Sequence, residues 1–212
     1  GELSVLIRIT DKTKTHLTKE ERFLRNQYKV VSRSGLNVTE KQLIEALKEI
    51  GQPKKILFLE NRTGVSGIIA NNLYPDTEIT IHCLDLYYAN KIKMNLSNNN
   101  ISSIAVLCKP YIEQKDEFDL IFLQLSKGGT AKELILDLLQ QSHQALQNDG
   151  KCIITIEEND PWINDQIKYF FGSYSVNIMK KRPGYLAAQK SQKLKRVRNY
   201  ESEFEMTLFK KE

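Results

Sequence analysis

Cysteine is scarce in this sequence, with only Cys83, Cys108 and Cys152 among 212 residues. Their number is odd, they are widely spaced, and each lies within or at the end of an apolar stretch. This pattern favours buried thiols over a disulfide framework or a metal site. We therefore predict no bound metal.

Long hydrophobic runs are also missing. No apolar stretch approaches the ~20 residues of a membrane span, and the first residues, GELSVLIRIT, lack the basic region and cleavage site of a signal peptide. We expect a cytoplasmic protein without membrane contact. Hydrophobic content of 41% and charged content of 27% are ordinary for a globular chain, and 212 residues suffice for one domain with modest extensions.

The net charge is only +5, but the cations are unevenly distributed. The stretch from residue 180 to residue 198 contains no acid. Its cations are Lys180, Lys181, Arg182, Lys190, Lys193, Lys195, Arg196 and Arg198. Such a patch favours a polyanion such as RNA or DNA, because contact with phosphates releases counterions. A solvated face that only aids solubility is the alternative.

Short apolar runs alternate with helical periodicity from Lys55 onwards. The predicted strands are 56–59, 79–84, 104–108, 120–123 and 152–156, and the predicted helices are 66–73, 88–98, 131–146 and 162–171. The runs are nearly continuous in apolarity, as strands buried on both faces must be, so a parallel sheet with helical crossovers is expected. A turn over 148–150 leads into the fifth strand, and 175–179 with 184–189 form an edge hairpin.

The two ends of the chain follow other patterns. Alternating apolar residues predict strands over 2–10 and 203–209, and 29–33 resembles another short strand. Capping-box spacing, Thr18 with Glu21 and Thr39 with Gln42, predicts helices that begin near residues 19 and 40. We divide the chain into an N-terminal accessory segment (1–50), a central domain (51–190) and a basic extension (191–212).

The most informative stretch is ILFLENRTGVSGIIA (56–70) with IHCLDLYY (81–88). It predicts a strand, a turn with Gly64, a helix, and a second strand that ends at Asp85. A helix start offers free N–H groups to a ligand, and an acid after the next strand accepts hydrogen bonds from ribose hydroxyls. Alternatively, Asp85 only caps the following helix. A full glycine fingerprint is absent.

From about Lys55 to Gln189 the chain resembles the class I S-adenosylmethionine-dependent methyltransferases. It is most similar to the small-methyltransferase-domain branch, which includes ribosomal RNA guanine methyltransferases. The supporting motifs are ILFLENRTG, LDLYYAN, EFDLIF and LLQQSHQALQNDGKCIITI. The resemblance implies an α/β fold: a Rossmann-like, doubly wound, mostly parallel seven-stranded sheet, with the N-terminal accessory segment and the basic C-terminal extension added.

The resemblance also implies a cofactor site for S-adenosylmethionine. Where the family has an acid followed by glycines at alternate positions, this chain has Phe58, Glu60 and Arg62 before the retained Gly64. Glu60 and Arg62 either rebuild the pocket, with Glu60 contacting the amino group of the cofactor, or block it. Asp85 corresponds to the acid that binds the ribose, and Leu86 borders the adenine.

The catalytic candidate is Gln124. It stands where the branch has an Asn-Pro-Pro-aromatic motif after the fourth strand, and its amide can orient the target base. His16, His82 and His143 share no ligand spacing, and His143 is expected on a helix surface.

The predicted function is methylation of RNA, at a base amine of the ribosomal guanine type. Lys193, Lys195, Arg196 and Arg198 would contact that RNA, and a homodimer or a tandem domain is a possible partner arrangement. The alternative is a non-catalytic methyltransferase-like domain that binds or guides RNA. A nucleotide-binding dehydrogenase fits the edge hairpin and the fourth strand poorly.

Overall fold

The computed structural model describes residues 19–23, 28–32, 36–60, 62–125, 132–157, 160–179, 182–194 and 196–200. The strands are β1 (Lys19–Phe23), β2 (Tyr28–Ser32), β3 (Lys55–Leu59), β4 (Glu78–Cys83), β5 (Ala105–Cys108), β6 (Phe118–Leu125), β7 (Leu146–Ile156), β8 (Tyr174–Met179) and β9 (Arg182–Gln189). The helices are α1 (Val38–Glu49), α2 (Val65–Leu73), α3 (Leu86–Asn98), α4 (Lys132–Ala145) and α5 (Pro161–Phe171).

Seven strands form one sheet in the order β5-β4-β3-β6-β7-β9-β8. Strands β3 to β7 are parallel, while β9 is antiparallel to both β7 and β8. The predicted fold class and the edge hairpin are therefore confirmed. Strands β1 and β2 pair with each other in a separate antiparallel hairpin.

The hydrophobic core lies on both faces of the sheet because successive residues of a strand point to opposite sides. In β3, Ile56 and Phe58 pack with α1, α2 and α3, while Leu57 and Leu59 pack with α4 and α5. The Phe58 ring stacks on that of Phe122 from β6 at 4.8 Å between centroids. These layers fix the carboxyl ends of β3, β4, β6 and β7 at one edge of the sheet.

The N-terminal part differs from its prediction in two ways. The prediction of a helix near residue 19 is wrong, because Lys19–Phe23 is strand β1 and pairs residue by residue with Tyr28–Ser32 of β2. The helix near residue 40 exists, but its capping box is formed by Asn37 and Glu40. The strand expected over 29–33 is confirmed as β2.

Two local predictions need correction. The turn expected over 148–150 is an irregularity inside β7, where Asp149 has a φ of +64° and the register to β6 shifts. Cys83 and Cys152 are buried as expected, but Cys108 is exposed because it ends the edge strand β5. The strands predicted over 2–10 and 203–209 lie outside the described residues.

Among the helices that the structure describes, none is both long enough and apolar enough to cross a lipid bilayer. The longest is α4, with 14 residues.

Candidate functional site

A cavity of about 410 Å³ opens at the carboxyl ends of the parallel strands. Pockets of roughly 300–1,000 Å³ hold small ligands in proteins, and open α/β sheets bind them at this edge. The lining residues come from the N-terminus of α1, the strand ends, the loop before β6, and α4. They include Asn37, Glu60, Arg62, His82, Leu84, Tyr88, Ile112, Gln124, Leu138, Gln141 and Glu157.

Glu60 follows β3 directly and is only 2% exposed. Its Oε1 accepts a hydrogen bond from the backbone N–H of Gly64 at 2.6 Å, while its Oε2 is buried without a hydrogen-bond partner in the described structure. Burial, and then the nearby Glu40 carboxylate, raise the pKa of Glu60 to about 8. Glu60 is therefore mostly protonated at neutral pH, and a cation placed beside it would favour the carboxylate.

A second buried acid, Glu40, ties the turn after β3 to helix α1. Its side chain accepts hydrogen bonds from the Thr63 hydroxyl at 2.7 Å and from the Asn37 backbone N–H at 2.9 Å. Arg62 Nε lies 3.5 Å from Glu40 Oε2, an ion pair that holds the guanidinium at the cavity. The 1–50 segment thus contributes to the site through α1, which the sequence analysis did not foresee. The Asn37-to-Glu40 capping spacing was the available signal.

Gly64, in the turn after Glu60, is the N-cap residue of helix α2. Its φ is +75°, and a Cβ at this position would lie 2.7 Å from Ile92 Cγ2 on α3. The retained glycine therefore permits a left-handed turn and close packing of two helices. Its N–H is already bonded to Glu60, whereas the sequence analysis expected a free N–H for a ligand.

The turn after β4 is more exposed. Asp85 Oδ1 accepts a hydrogen bond from the Tyr87 N–H at 2.7 Å and caps α3, so the capping role is present. Leu84 and Tyr88 line the cavity, but Asp85 and Leu86 are not among its lining residues, and Leu86 is 63% exposed. The ribose role of Asp85 and the adenine role of Leu86 stay predictions.

Gln124, near the end of β6, is half-buried and lines the cavity. Its Nε2 is buried and has no hydrogen-bond partner in the described structure. An amide with an unused donor inside a cavity can orient a polar group of a ligand. Glu157, one residue past β7, lines the same cavity and was missed by the sequence analysis.

His82 on β4 was also missed as a site residue. It is 3% exposed, and its Nε2 lies 2.7 Å from the backbone carbonyl of Lys109. Burial lowers its pKa, so the ring is neutral. A neutral ring next to a carbonyl must carry its proton on Nε2, which leaves Nδ1 as an acceptor. That Nδ1 is buried and has no partner in the described structure.

Four residues that line this cavity therefore each carry a buried polar atom without a hydrogen bond in the described structure. The atoms are Glu60 Oε2, His82 Nδ1, Gln124 Nε2 and Arg62 Nε, the last of which is ion-paired with Glu40. Since buried polar groups are almost always hydrogen-bonded, such a cluster indicates a site for a polar ligand. In contrast, no group of three His, Cys, Asp or Glu side chains suited to a metal occurs within the described ranges.

The predicted RNA contacts lie outside the cavity, on residues 190–200, which we call the basic segment. Lys193, Arg196 and Arg198 are exposed there, and Lys195 lies outside the described residues. The backbone of the segment is bound to α4: the Gln140 side chain bonds to the N–H and carbonyl of Arg198 at 2.9 and 2.8 Å.

His143 holds the segment at a second point, with Nε2 2.8 Å from the Gln192 carbonyl. The prediction of a surface position for His143 is wrong, because this contact buries it to 2% exposure. Gln140 and His143, which hold the segment, lie on the other flank of α4 from Leu138 and Gln141, which line the cavity.

The sequence model of the methyltransferase small domain family matches residues 21–187. The chain belongs to this family. This confirms the predicted family and methyltransferase class, and S-adenosylmethionine as the family's cofactor. No curated protein sequence matches the chain.

Solved structures with the same fold share little sequence with this chain. The ribosomal RNA N2-guanine methyltransferase RsmC of T. thermophilus, in complex with AdoMet and guanosine, is 13% identical with a TM-score of 0.63. The match covers 87% of this chain and 47% of RsmC, so the chain spans about half the length of that relative.

Two further structures show how varied this fold group is. A ribosomal protein methylase of Lactobacillus delbrueckii is 17% identical over 73% of this chain and 78% of its own, with a TM-score of 0.58. A precorrin methyltransferase of Geobacter metallireducens is 13% identical over 74% and 90%, with a TM-score of 0.55. At these identities the likeness shows the fold alone.

The cavity fits S-adenosylmethionine. The cofactor carries an ammonium group and a carboxylate, with polar groups on its ribose and adenine. Glu60, once deprotonated, offers an acceptor for a cation, and the Arg62 guanidinium, ion-paired with Glu40 through Nε, offers positive charge for an anion in the same turn after β3. Neither side chain fills the cavity, so these substitutions leave room for a ligand.

Proposed function

We propose that this protein is an S-adenosylmethionine-dependent methyltransferase that acts on RNA, at a base amine of the ribosomal guanine type. The observation that carries the proposal is the cavity at the carboxyl ends of the strands, lined by four residues that each carry a buried polar atom without a hydrogen bond in the described structure. RsmC, which has the same fold, supports a ribosomal RNA substrate. A cytoplasmic location and a second domain or copy as partner belong to the same proposal.

In this proposal the side chains after β3 hold the amino-acid end of the cofactor. Glu60 loses its proton and receives the ammonium group at Oε2, and the Arg62 guanidinium, which stays ion-paired with Glu40, receives the carboxylate. Asp85, after β4, accepts hydrogen bonds from the ribose hydroxyls with the carboxylate oxygen that does not cap α3. When bound, S-adenosylmethionine supplies an electrophilic methyl group, so that positioning of the acceptor amine dominates catalysis.

Gln124 and Glu157 then position the target. They stand at the ends of the neighbouring strands β6 and β7 and line the cavity beside the cofactor residues. The Gln124 amide faces an edge of the base, and Glu157 accepts a hydrogen bond from its amine. The exposed cations of the basic segment hold the phosphates of the RNA.

Calorimetric titration of S-adenosylhomocysteine into the purified protein tests the cofactor part. We expect micromolar binding, weakened by about 1–3 kcal/mol in Asp85→Ala because a charged hydrogen-bond acceptor is lost. A folded protein that does not bind would favour the alternative, a non-catalytic domain that binds or guides RNA.

Salt-dependent RNA binding tests the substrate part. A variant with Lys193, Lys195, Arg196 and Arg198 changed to Ala should bind ribosomal RNA fragments more weakly and with a shallower salt dependence, by about 0.7 in slope for each lost phosphate contact. The matched control changes four lysines elsewhere on the surface, Lys41, Lys54, Lys93 and Lys115. Equal losses in both variants would contradict a specific role of the basic segment.

A further inference from the structure

His82 lines the cavity but has no role in the proposed methyl transfer. It lies on β4 beside Leu59 of β3, its partner in the strand register, and its ring lines the cavity. Because the ring is 3% exposed and one nitrogen is unpaired, its burial is unfavourable unless a ligand completes the hydrogen bond.

The backbone fixes which hydrogen bond the ligand must complete. The Lys109 carbonyl, 2.7 Å from Nε2, accepts a hydrogen bond from the ring and has no hydrogen to donate. Nδ1 is therefore held as an acceptor and can only be satisfied by a donor. A ligand carbonyl at the same place would direct an oxygen lone pair at the lone pair of Nδ1, which is repulsive.

The surroundings of His82 differ from those of Glu60 and Arg62. Leu84, Ile112 and Leu138 line the cavity together with His82, so flat apolar surface can be covered there. A purine ring has apolar faces and a polar edge, which suits such walls. The charged amino-acid end of the cofactor fits instead beside Glu60 and Arg62, which follow β3.

We propose that His82 Nδ1 accepts a hydrogen bond from the exocyclic amine of the cofactor's adenine and thereby selects adenine over a 6-oxo purine. This inference rests on the proposed function, since it concerns the same cavity. It names His82 as a specificity-determining residue, with the Lys109 carbonyl as the group that sets its tautomer.

The test compares two ligands that differ only at the base. S-adenosylhomocysteine has the 6-amino group, and S-inosylhomocysteine has a carbonyl there. Wild-type protein should bind the adenosyl compound about 5- to 100-fold more tightly in calorimetric titration, as expected when a buried acceptor is left unpaired.

Two substitutions of the same residue separate this role from a purely structural one. His82→Asn keeps an acceptor near the Nδ1 position, and His82→Gln keeps a donor near the Nε2 position for the Lys109 carbonyl. We expect His82→Asn to retain the preference for adenine and His82→Gln to lose it. Circular dichroism checks that both variants fold.

Asp85→Ala provides the matched control. It should weaken the binding of both ligands by the same factor and leave the ratio of their affinities unchanged, because they share the ribose. Binding that depends on Asp85 but shows no adenine preference, or a preference unchanged in His82→Gln, would overturn the role of His82 and leave the proposed function standing. No binding of either ligand by folded wild-type protein would overturn both.

Discussion

The turns after β3 and β4 meet at one edge of the sheet, yet they are built differently. After β3, Glu60 and Thr63 are buried, and their side chains bond to the Gly64 N–H and to the Glu40 carboxylate, respectively. After β4, Asp85 is exposed and makes an ordinary helix cap. The family's acid after β4 can cap a helix and still face a ligand. The residues at the family's glycine positions after β3, in contrast, are ionisable: Glu60 is buried and protonated, and Arg62 is ion-paired with Glu40 of α1.

The largest expected effect comes from a substitution in the turn after β3. Gly64→Ala should destabilise the protein by about 2–5 kcal/mol, because alanine is strained at a φ of +75° and its Cβ would lie 2.7 Å from Ile92 Cγ2. Urea unfolding measures the loss. Gly51→Ala is the control, since no atom lies within 4 Å of its added Cβ. Similar stability of both variants would show that the turn relaxes easily.

The next effect concerns the charge after β3. Since the pKa of Glu60 is raised from 4.5 to about 8, the folded protein holds a proton that the unfolded chain has lost between these values. The free energy of unfolding should therefore fall by roughly 2–4 kcal/mol from pH 5 to pH 8 because of this group. Glu60→Gln should remove that slope, and Glu113→Gln, at an exposed site, should not.

Binding of the cofactor should reverse the protonation of Glu60. An ammonium group beside the carboxylate favours the ionised form, so titrations of S-adenosylhomocysteine near pH 7 should release up to one proton. Calorimetry in two buffers with different ionisation enthalpies detects this release. Its persistence in Glu60→Gln would assign the proton to another group.

The smallest effect separates the two roles of Asp85 after β4. Asp85→Ala should lower stability by about 0.5–2 kcal/mol through loss of the α3 cap, whereas Asp85→Asn should be nearly neutral because Asn caps as well as Asp. Both variants should bind S-adenosylhomocysteine more weakly than wild type. If Asp85→Asn kept full affinity, the negative charge would have no part in ribose binding.

Apolar periodicity was sufficient to predict the central fold. The runs that became β3, β4, β6 and β7 are nearly continuous in apolarity, because both faces of those strands are covered by helices. The helix expected near residue 19 failed because a capping box alone does not make a helix, and Lys19–Phe23 found a pairing partner in β2 instead. The residues of β2 that pair with Lys19–Phe23 lie further along the chain than the four-residue spacing of a capping box.

The candidate site was only partly predictable. Glu60 and Gln124 were named from the resemblance, at the places of the family's first motif and of its motif after the fourth strand, and both line the cavity. His82 and Glu40 were not identified, because one is a polar residue within an apolar strand and the other is a helix-capping acid. Their importance comes from atoms far apart in sequence, the Lys109 carbonyl and the Thr63 hydroxyl.

The sequence by itself determined the order of strands and helices, the family, and the basic character of residues 180–198, because these depend on residue types at short spacing. Only the tertiary structure decided that Glu60 and Arg62 leave the cavity open, that α1 supplies a buried acid to the turn after β3, and that the basic segment is held on α4. Those outcomes depend on burial and on contacts between distant segments, which exist only once the sheet and its helices have packed together.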